Sequence, residues 1–328
     1  MSKNLLLRAA KMLVTGVLLA YVLNKAGLFD ESGRQELFGM FSSMDWRFVA
    51  LSLLVSLLLN FTSAFKWHVL VSSRNVDVRL LRLFAYYYIG RFFNLFLPTN
   101  MGGDVVRMYK LAKKTGNSKE SVASVFMERF TGMITLMVLA AIAFVVSYRT
   151  YNMPRITFSF LIMTTALAII GWLILDTRPF NFVRRLLLGR IKLLDKVLDK
   201  LSEVQHAVIS YRHNKGVLWK AFGISVVFYF LAIVNVWVSG RALSPEIQFV
   251  SMVIAVPAIM LIMNIPISVG GIGLMEFAYT VVFEIFGYSA LLALSTALLI
   301  RFKTLLDATA GGLLYLVDKD RRDTRSQQ

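Results

Sequence analysis

Two segments share a pattern that an ordinary helix does not tolerate: Pro98-Thr-Asn-Met-Gly102-Gly103 and Pro266-Ile-Ser-Val-Gly270-Gly271, both P-x-x-x-G-G. Proline removes a backbone donor and pushes its predecessor out of the helical region, while paired glycines permit positive φ and close backbone approach. A helix broken inside a protein can aim its half-helix N-termini at an anionic group, so the chemistry in view is anion recognition by backbone. With six prolines and twenty glycines in the chain, random order yields roughly one-fiftieth of one such pattern, and two copies read as an internal repeat.

Charged residues in apolar surroundings form the second set. Arg129, Arg301 and Lys303 can attract a lipid phosphate, and Glu128, Glu276, Glu284 and Asp307 can balance them or carry protons. Lys303 and Asp307 stand four apart, a spacing that allows an ion pair on one helix face. Each charge at mid-bilayer costs at least about 2.5 to 3.5 kcal/mol, so three in one span argue for a polar interior. Glu128 beside Arg129 also reads as an interfacial pair at a helix end. Glu276 follows Gly273 where a half-helix should start and either stabilises that end or meets substrate; Asp104 and Arg107 carry the same two readings.

The elements that must position these residues follow from composition. Of 328 residues 57% are hydrophobic and 17% charged, with mean hydropathy +0.65, against about half apolar and a quarter charged in a soluble domain. That excludes a soluble globular protein. Apolar runs at 12–23, 48–71, 122–148, 156–175, 217–239 and 289–317 can each span a bilayer as a helix, whereas 80–97 and 249–287 are interrupted by proline and glycine. The first run has the look of a signal peptide, but no small-x-small cleavage site follows Leu23, and it reads as a retained helix.

Charge sets the orientation. Lys+Arg number 36 against 19 Asp+Glu, a formal net charge of +17, and 25 of the basic residues fall in 1–11, 72–82, 107–119, 178–220 and 319–325. Alternating spans place those segments on one side and only Lys25, Arg34, Arg47, Arg149, Arg155 and Arg241 on the other. The positive-inside rule then predicts cytoplasmic N- and C-termini and explains the basic excess without nucleic acid. Each interrupted stretch must enter and leave by one face. Three full spans separate the two motifs, an odd number, so the halves at about 5–150 and 151–318 run in opposite senses. The expected fold is an all-α polytopic membrane protein with about six spanning helices and two re-entrant broken hairpins arranged as an inverted repeat, the plan of many secondary transporters. The broken hairpins would share a polar interior, because irregular backbone at membrane depth needs protein or water around it.

Within the cytoplasmic elbow at about 178–215, Leu187, Ile191, Leu194, Leu198 and Leu201 step by three and four. This amphipathic helix either lies on anionic cytoplasmic lipid or packs on the protein's own inner face. The chain has no cysteine, and His68, His206 and His213 lack ligand spacing, so no metal or other cofactor is expected. No Walker loop or Rossmann glycine pattern occurs. Met101, two before Gly103, breaks the G-x-G-D of intramembrane aspartyl proteases. Asp30, Glu31, Glu36 and Asp45 keep a lipid-linked glycosyltransferase open as an alternative, beside a scaffold for envelope-lipid synthesis.

The run Asn94-Leu-Phe-Leu-Pro98-Thr-Asn-Met-Gly102-Gly103-Asp104-Val-Val-Arg107, the pair Glu128-Arg129, and Pro266-Ile-Ser-Val-Gly270-Gly271-Ile-Gly273-Leu-Met-Glu276 resemble the flippase-like membrane region of lysylphosphatidylglycerol synthases and its stand-alone relatives. The resemblance covers most of the chain. It implies a single flippase-like domain over 1–328, in the plasma (inner) membrane, that moves a phospholipid or polyprenyl-linked lipid between leaflets. Full-length synthases add a soluble domain that transfers lysine from aminoacyl-tRNA; this chain is expected to lack it and not to act as an enzyme. The expected substrate path comprises those motif residues with Arg301 and Asp307. The expected partners are an anionic membrane lipid as substrate, anionic cytoplasmic lipids and envelope-lipid synthesis enzymes.

Overall fold

The computed structural model describes residues 3–96, 102–151, 165, 202, 209, 211, 214–265, 267–268 and 270–323. Among the described residues there are ten helices and no strand: α1 (Lys3–Lys25), α2 (Glu31–Ser42), α3 (Trp46–Ser72), α4 (Leu80–Phe96), α5 (Gly102–Thr115), α6 (Ser118–Tyr151), α7 (Lys215–Arg241), α8 (Phe249–Met263), α9 (Leu274–Ile285) and α10 (Ala290–Asp323). Helices are what a bilayer demands, since every backbone polar group can then be satisfied within its own segment.

Polarity along α3 is inverted relative to a soluble helix. Leu51, Leu54, Leu58, Phe61 and Phe65 recur at steps of three and four and are exposed, while Ser52, Asn60 and Ser63 are buried. Such an outward apolar stripe, on a helix long and apolar enough to cross a bilayer, suits hydrocarbon. By length and apolarity α3, residues Ser118–Ala143 of α6, and α7 can each cross a membrane, and α8 is a shorter apolar helix. α10 covers the predicted run at 289–317 but carries Arg301, Lys303 and Asp307 along it. The protein is an all-α polytopic membrane protein. The predicted span at 156–175 and most of the amphipathic elbow lie outside the described residues.

The described chain divides into two compact units. One contains residues 1–61, 84–107 and 229–328, and the other residues 62–83 and 108–228. In the first unit α9 packs on α1, α8 and α10, and α10 also touches α1 and α2. Val22, Ala26, Leu291 and Leu294 form its apolar seam with Leu37, Met40 and Phe277. Phe93 meets Tyr315 edge to face with ring centroids 5.2 Å apart, which seats α4 on the distal part of α10. In the second unit Met127, Phe130, Tyr211 and Ala221 surround Leu70. There the Trp67 indole donates to Ser124 Oγ at 3.0 Å, and Arg74 clasps Glu120 through two bonds of 2.6 and 2.7 Å.

Candidate functional site

The glycine pair of the first motif opens α5, and the second motif falls between α8 and α9, both motifs within the first unit. α4 ends at Phe96, two residues before Pro98, and α5 opens at Gly102; α8 ends at Met263 and α9 opens at Leu274. Pro98 and Pro266 themselves lie outside the described residues.

The first break is closed by contact between backbones. A Cβ built on Gly103 would overlap the Gly90 carbonyl, and one on Gly90 would sit 2.9 Å from the Gly103 oxygen and 2.9 Å from Arg107 Cγ. Nothing larger than glycine fits at either position. The Gly103 N–H, freed by the helix start, donates to Asn94 Oδ1 at 2.6 Å. One turn on, Arg107 Nη2 donates to Asp104 Oδ1 at 2.5 Å with both side chains buried, and the guanidinium lies over the Tyr87 ring at 4.7 Å.

The second break uses its glycines differently. Gly270, Gly271 and Gly273 have φ of 60°, 73° and 78°, the left-handed region that L side chains avoid. Gly102 and Gly103 instead sit inside α5, and Gly103 has no positive φ. The shared sequence pattern therefore conceals two backbone jobs, close approach at the first pair and chain reversal at the second. Glu276 Oε2 accepts the Gly273 N–H at 2.8 Å, and Arg301 grips the same carboxylate with Nε–Oε1 at 2.5 Å and Nη2–Oε2 at 3.0 Å. Arg301 Nη2 also donates to the Gly271 carbonyl at 3.1 Å. One arginine on α10 thus holds both the turn and the helix start.

Each half-helix N-terminus carries a carboxylate in its first turn, Asp104 on α5 and Glu276 on α9. Each carboxylate is engaged by an arginine. The positive end of the dipole is satisfied internally, and an anion reaching either arginine competes with a carboxylate already in place. Asp307 completes a third pair, accepting from Arg91 Nη1 at 2.5 Å and from Asn60 Nδ2 at 2.9 Å. Lys303, whose spacing allows a pair with Asp307, is turned elsewhere: Nζ donates to Asn235 Oδ1 at 2.6 Å and Ser239 Oγ at 2.7 Å, both on α7. Helix spacing permits the Lys303–Asp307 pair, but partners on other helices satisfy both residues better. Glu284 reaches Lys25 at 3.4 Å on the exposed end of α9. Glu128, buried, and Arg129, exposed, belong to α6 in the second unit.

The sequence profile described as the lysylphosphatidylglycerol synthase TM region matches residues 8–312. The chain belongs to that family. Among its relatives, the UPF0104 membrane protein PH1989 of Pyrococcus horikoshii is 22% identical over 295 residues, 84% of this chain and 88% of that protein. No solved structure matches. The family match spans both helix breaks and the pairs Asp104–Arg107, Glu276–Arg301 and Asp307–Arg91. In this family member the residues to which sequence reasoning gave no role are Gly90, Arg91, Asn60, Asn235 and Ser239. A lone glycine and an arginine inside the apolar run at 80–97, and single asparagines in two otherwise apolar spans, were the available signals.

Proposed function

We propose that this protein translocates a phosphate-bearing lipid, a phospholipid or a polyprenyl-linked lipid, between the leaflets of the plasma membrane, with both termini cytoplasmic. One observation carries the reading: two interrupted helices in one unit each begin with a buried carboxylate held by an arginine. Membership of a lipid-synthase membrane family supports a lipid-related role. A phosphate approaching Arg301 offers the guanidinium fork the same bidentate geometry as Glu276. Glu276 can yield one arm of the fork without being orphaned, because it keeps the Gly273 N–H. The head group passes along the broken helices while the acyl chains stay in hydrocarbon. The reading assigns no bond-breaking step to the chain, and anionic cytoplasmic lipids and envelope-lipid synthesis enzymes are the partners such a role calls for.

Purified protein in liposomes carrying a head-group-labelled anionic phospholipid tests this directly. Label in the inner leaflet should become accessible to an impermeant quencher faster than in protein-free vesicles. Equal rates across a panel of phospholipid and polyprenyl-phosphate probes would overturn the proposal. Arg301→Lys is expected to retain part of the activity, since it keeps the charge and loses the fork.

Orientation has its own test, simplified by the absence of cysteine. Single cysteines at Glu36 and Ser244 should react with an impermeant thiol reagent applied to whole cells, and those at Asn117 and Val197 should react only after permeabilisation. Labelling of Val197 from outside would reverse the assignment.

A further inference from the structure

α10 carries a buried lysine that the proposed lipid path does not use. Lys303 is 2% exposed. Its Nζ meets two neutral oxygens, Asn235 Oδ1 at 2.6 Å and Ser239 Oγ at 2.7 Å. The Ser239 hydroxyl spends its own proton on the Asn235 backbone carbonyl, so towards the lysine it can only accept. Among the described residues no carboxylate lies within ion-pair distance of Nζ. Asp307, one turn further along α10, is occupied by Arg91 and Asn60. Arg301, two residues back, is bound to Glu276. α7 bears Lys215 and Lys220 in its first two turns, and at its other end, two residues past Ser239, Arg241, which donates to the Pro245 carbonyl.

An ammonium brings three N–H donors and a full charge; a neutral amine brings two donors and a lone pair. The site offers two neutral acceptors at contact distance, and the carboxylate one turn away, Asp307, is already shared by Arg91 and Asn60, which suits the amine. A buried cation is disfavoured where the nearest carboxylate is already neutralised by another cation, as Asp307 is by Arg91. Neutral asparagine and serine dipoles orient the amine without forcing it to ionise.

We propose that Lys303 is a proton-binding site inside the membrane domain, neutral in this conformation, whose protonation drives a step of the lipid translocation proposed above, on which that coupling rests. The lone pair on Nζ takes a proton delivered from water and becomes a third N–H. The new charge stands one helical turn from Asp307, the i,i+4 spacing at which a lysine and a carboxylate attract. It then competes with Arg91 for Asp307, and Arg91 is part of α4, the arm leading into the first break. Return of the proton from Nζ to water restores the Arg91–Asp307 pair.

Two measurements separate the proton site from the transport reading. In detergent, thermal unfolding of wild type and Lys303→Met is followed as pH is raised from neutral. The unfolded chain carries a proton on Lys303 that the folded chain lacks, so wild-type stability should climb relative to the variant until about pH 10, where a free lysine loses its proton. Parallel profiles would overturn the proton site. Lys303→Arg, which stays charged, should unfold at a lower temperature than Lys303→Met; the reverse order would also overturn it. In liposomes loaded with head-group-labelled anionic phospholipid, an imposed pH gradient should change the wild-type rate several-fold, and Lys303→Met should lose that response. A response of equal size in both would overturn the coupling. If no lipid moves in either while the stability profiles still diverge, the translocation reading and its coupling fail and the proton site stands.

Discussion

Glu276→Ala is expected to destabilise the protein by about 3 to 5 kcal/mol, the usual penalty for removing one partner of a buried ion pair. Arg301 would be left with a charge and one carbonyl, and the Gly273 N–H would lose its acceptor at the start of α9. Arg301→Gln should cost less, because Glu276 keeps the Gly273 bond. The informative variant is the double Glu276→Gln, Arg301→Gln. It removes both charges while an amide oxygen can still accept from Gly273, so thermal stability in detergent should recover towards wild type. If the pair only holds the fold, lipid transport recovers with it; if Arg301 contacts a phosphate, transport stays low. Recovery of transport to the wild-type rate at matched protein levels would remove Arg301 from the proposed path.

The second large effect is expected at Gly103. A valine there drives a branched side chain into the Gly90 carbonyl, and no rotamer relieves a clash that begins at Cβ. Gly103→Ala should already cost about 1 to 3 kcal/mol or more by overpacking, and Gly103→Val should prevent recovery of monodisperse protein. Gly271→Val meets open space and pays only for its positive φ, about 1 to 2 kcal/mol, so it should fold and lose transport more than stability. Gly223, on α7 with nothing near its Cβ position, supplies the control. Its alanine variant should be neutral or gain up to about 1 kcal/mol from helix propensity. Thermal unfolding of Gly103→Ala, Gly271→Val and Gly223→Ala, with size-exclusion recovery of Gly103→Val, checks the order; a Gly103→Val protein recovered and as stable as Gly223→Ala would contradict the backbone contact.

How much of this was legible beforehand depends on the range of the interaction. Proline and paired glycine act on their own neighbours, so the interruptions after Phe96 and after Met263 could be read directly from the residues. Glu276 as a stabiliser of a helix start was legible for the same reason, lying three residues from Gly273. Side-chain partners were not. Lys303 and Asp307 share a helix face, yet Lys303 bonds to residues 68 and 64 positions away, and Asp307 to residues 216 and 247 positions away. Helix periodicity carries no information at that range. The division of labour between the glycine pairs was hidden too, because sequence states that a side chain is missing without stating whether a neighbour or a dihedral angle requires it. Gly90 illustrates the point: it pairs with Gly103 across the break, and nothing in its immediate surroundings distinguishes it from Gly223.

A membrane under voltage pulls on net charge and ignores its absence. The pairs Asp104–Arg107, Glu276–Arg301 and Asp307–Arg91 each sum to zero, so a rearrangement that carries an intact pair through the field does no electrical work. A protonated Lys303 is different, since one elementary charge moved across the full field is worth about 2.3 kcal/mol per 100 mV. Closing these arginines on carboxylates makes the three pairs electrically silent, whereas a Lys303 that takes up a proton gives the resting potential a net charge on α10 to act upon.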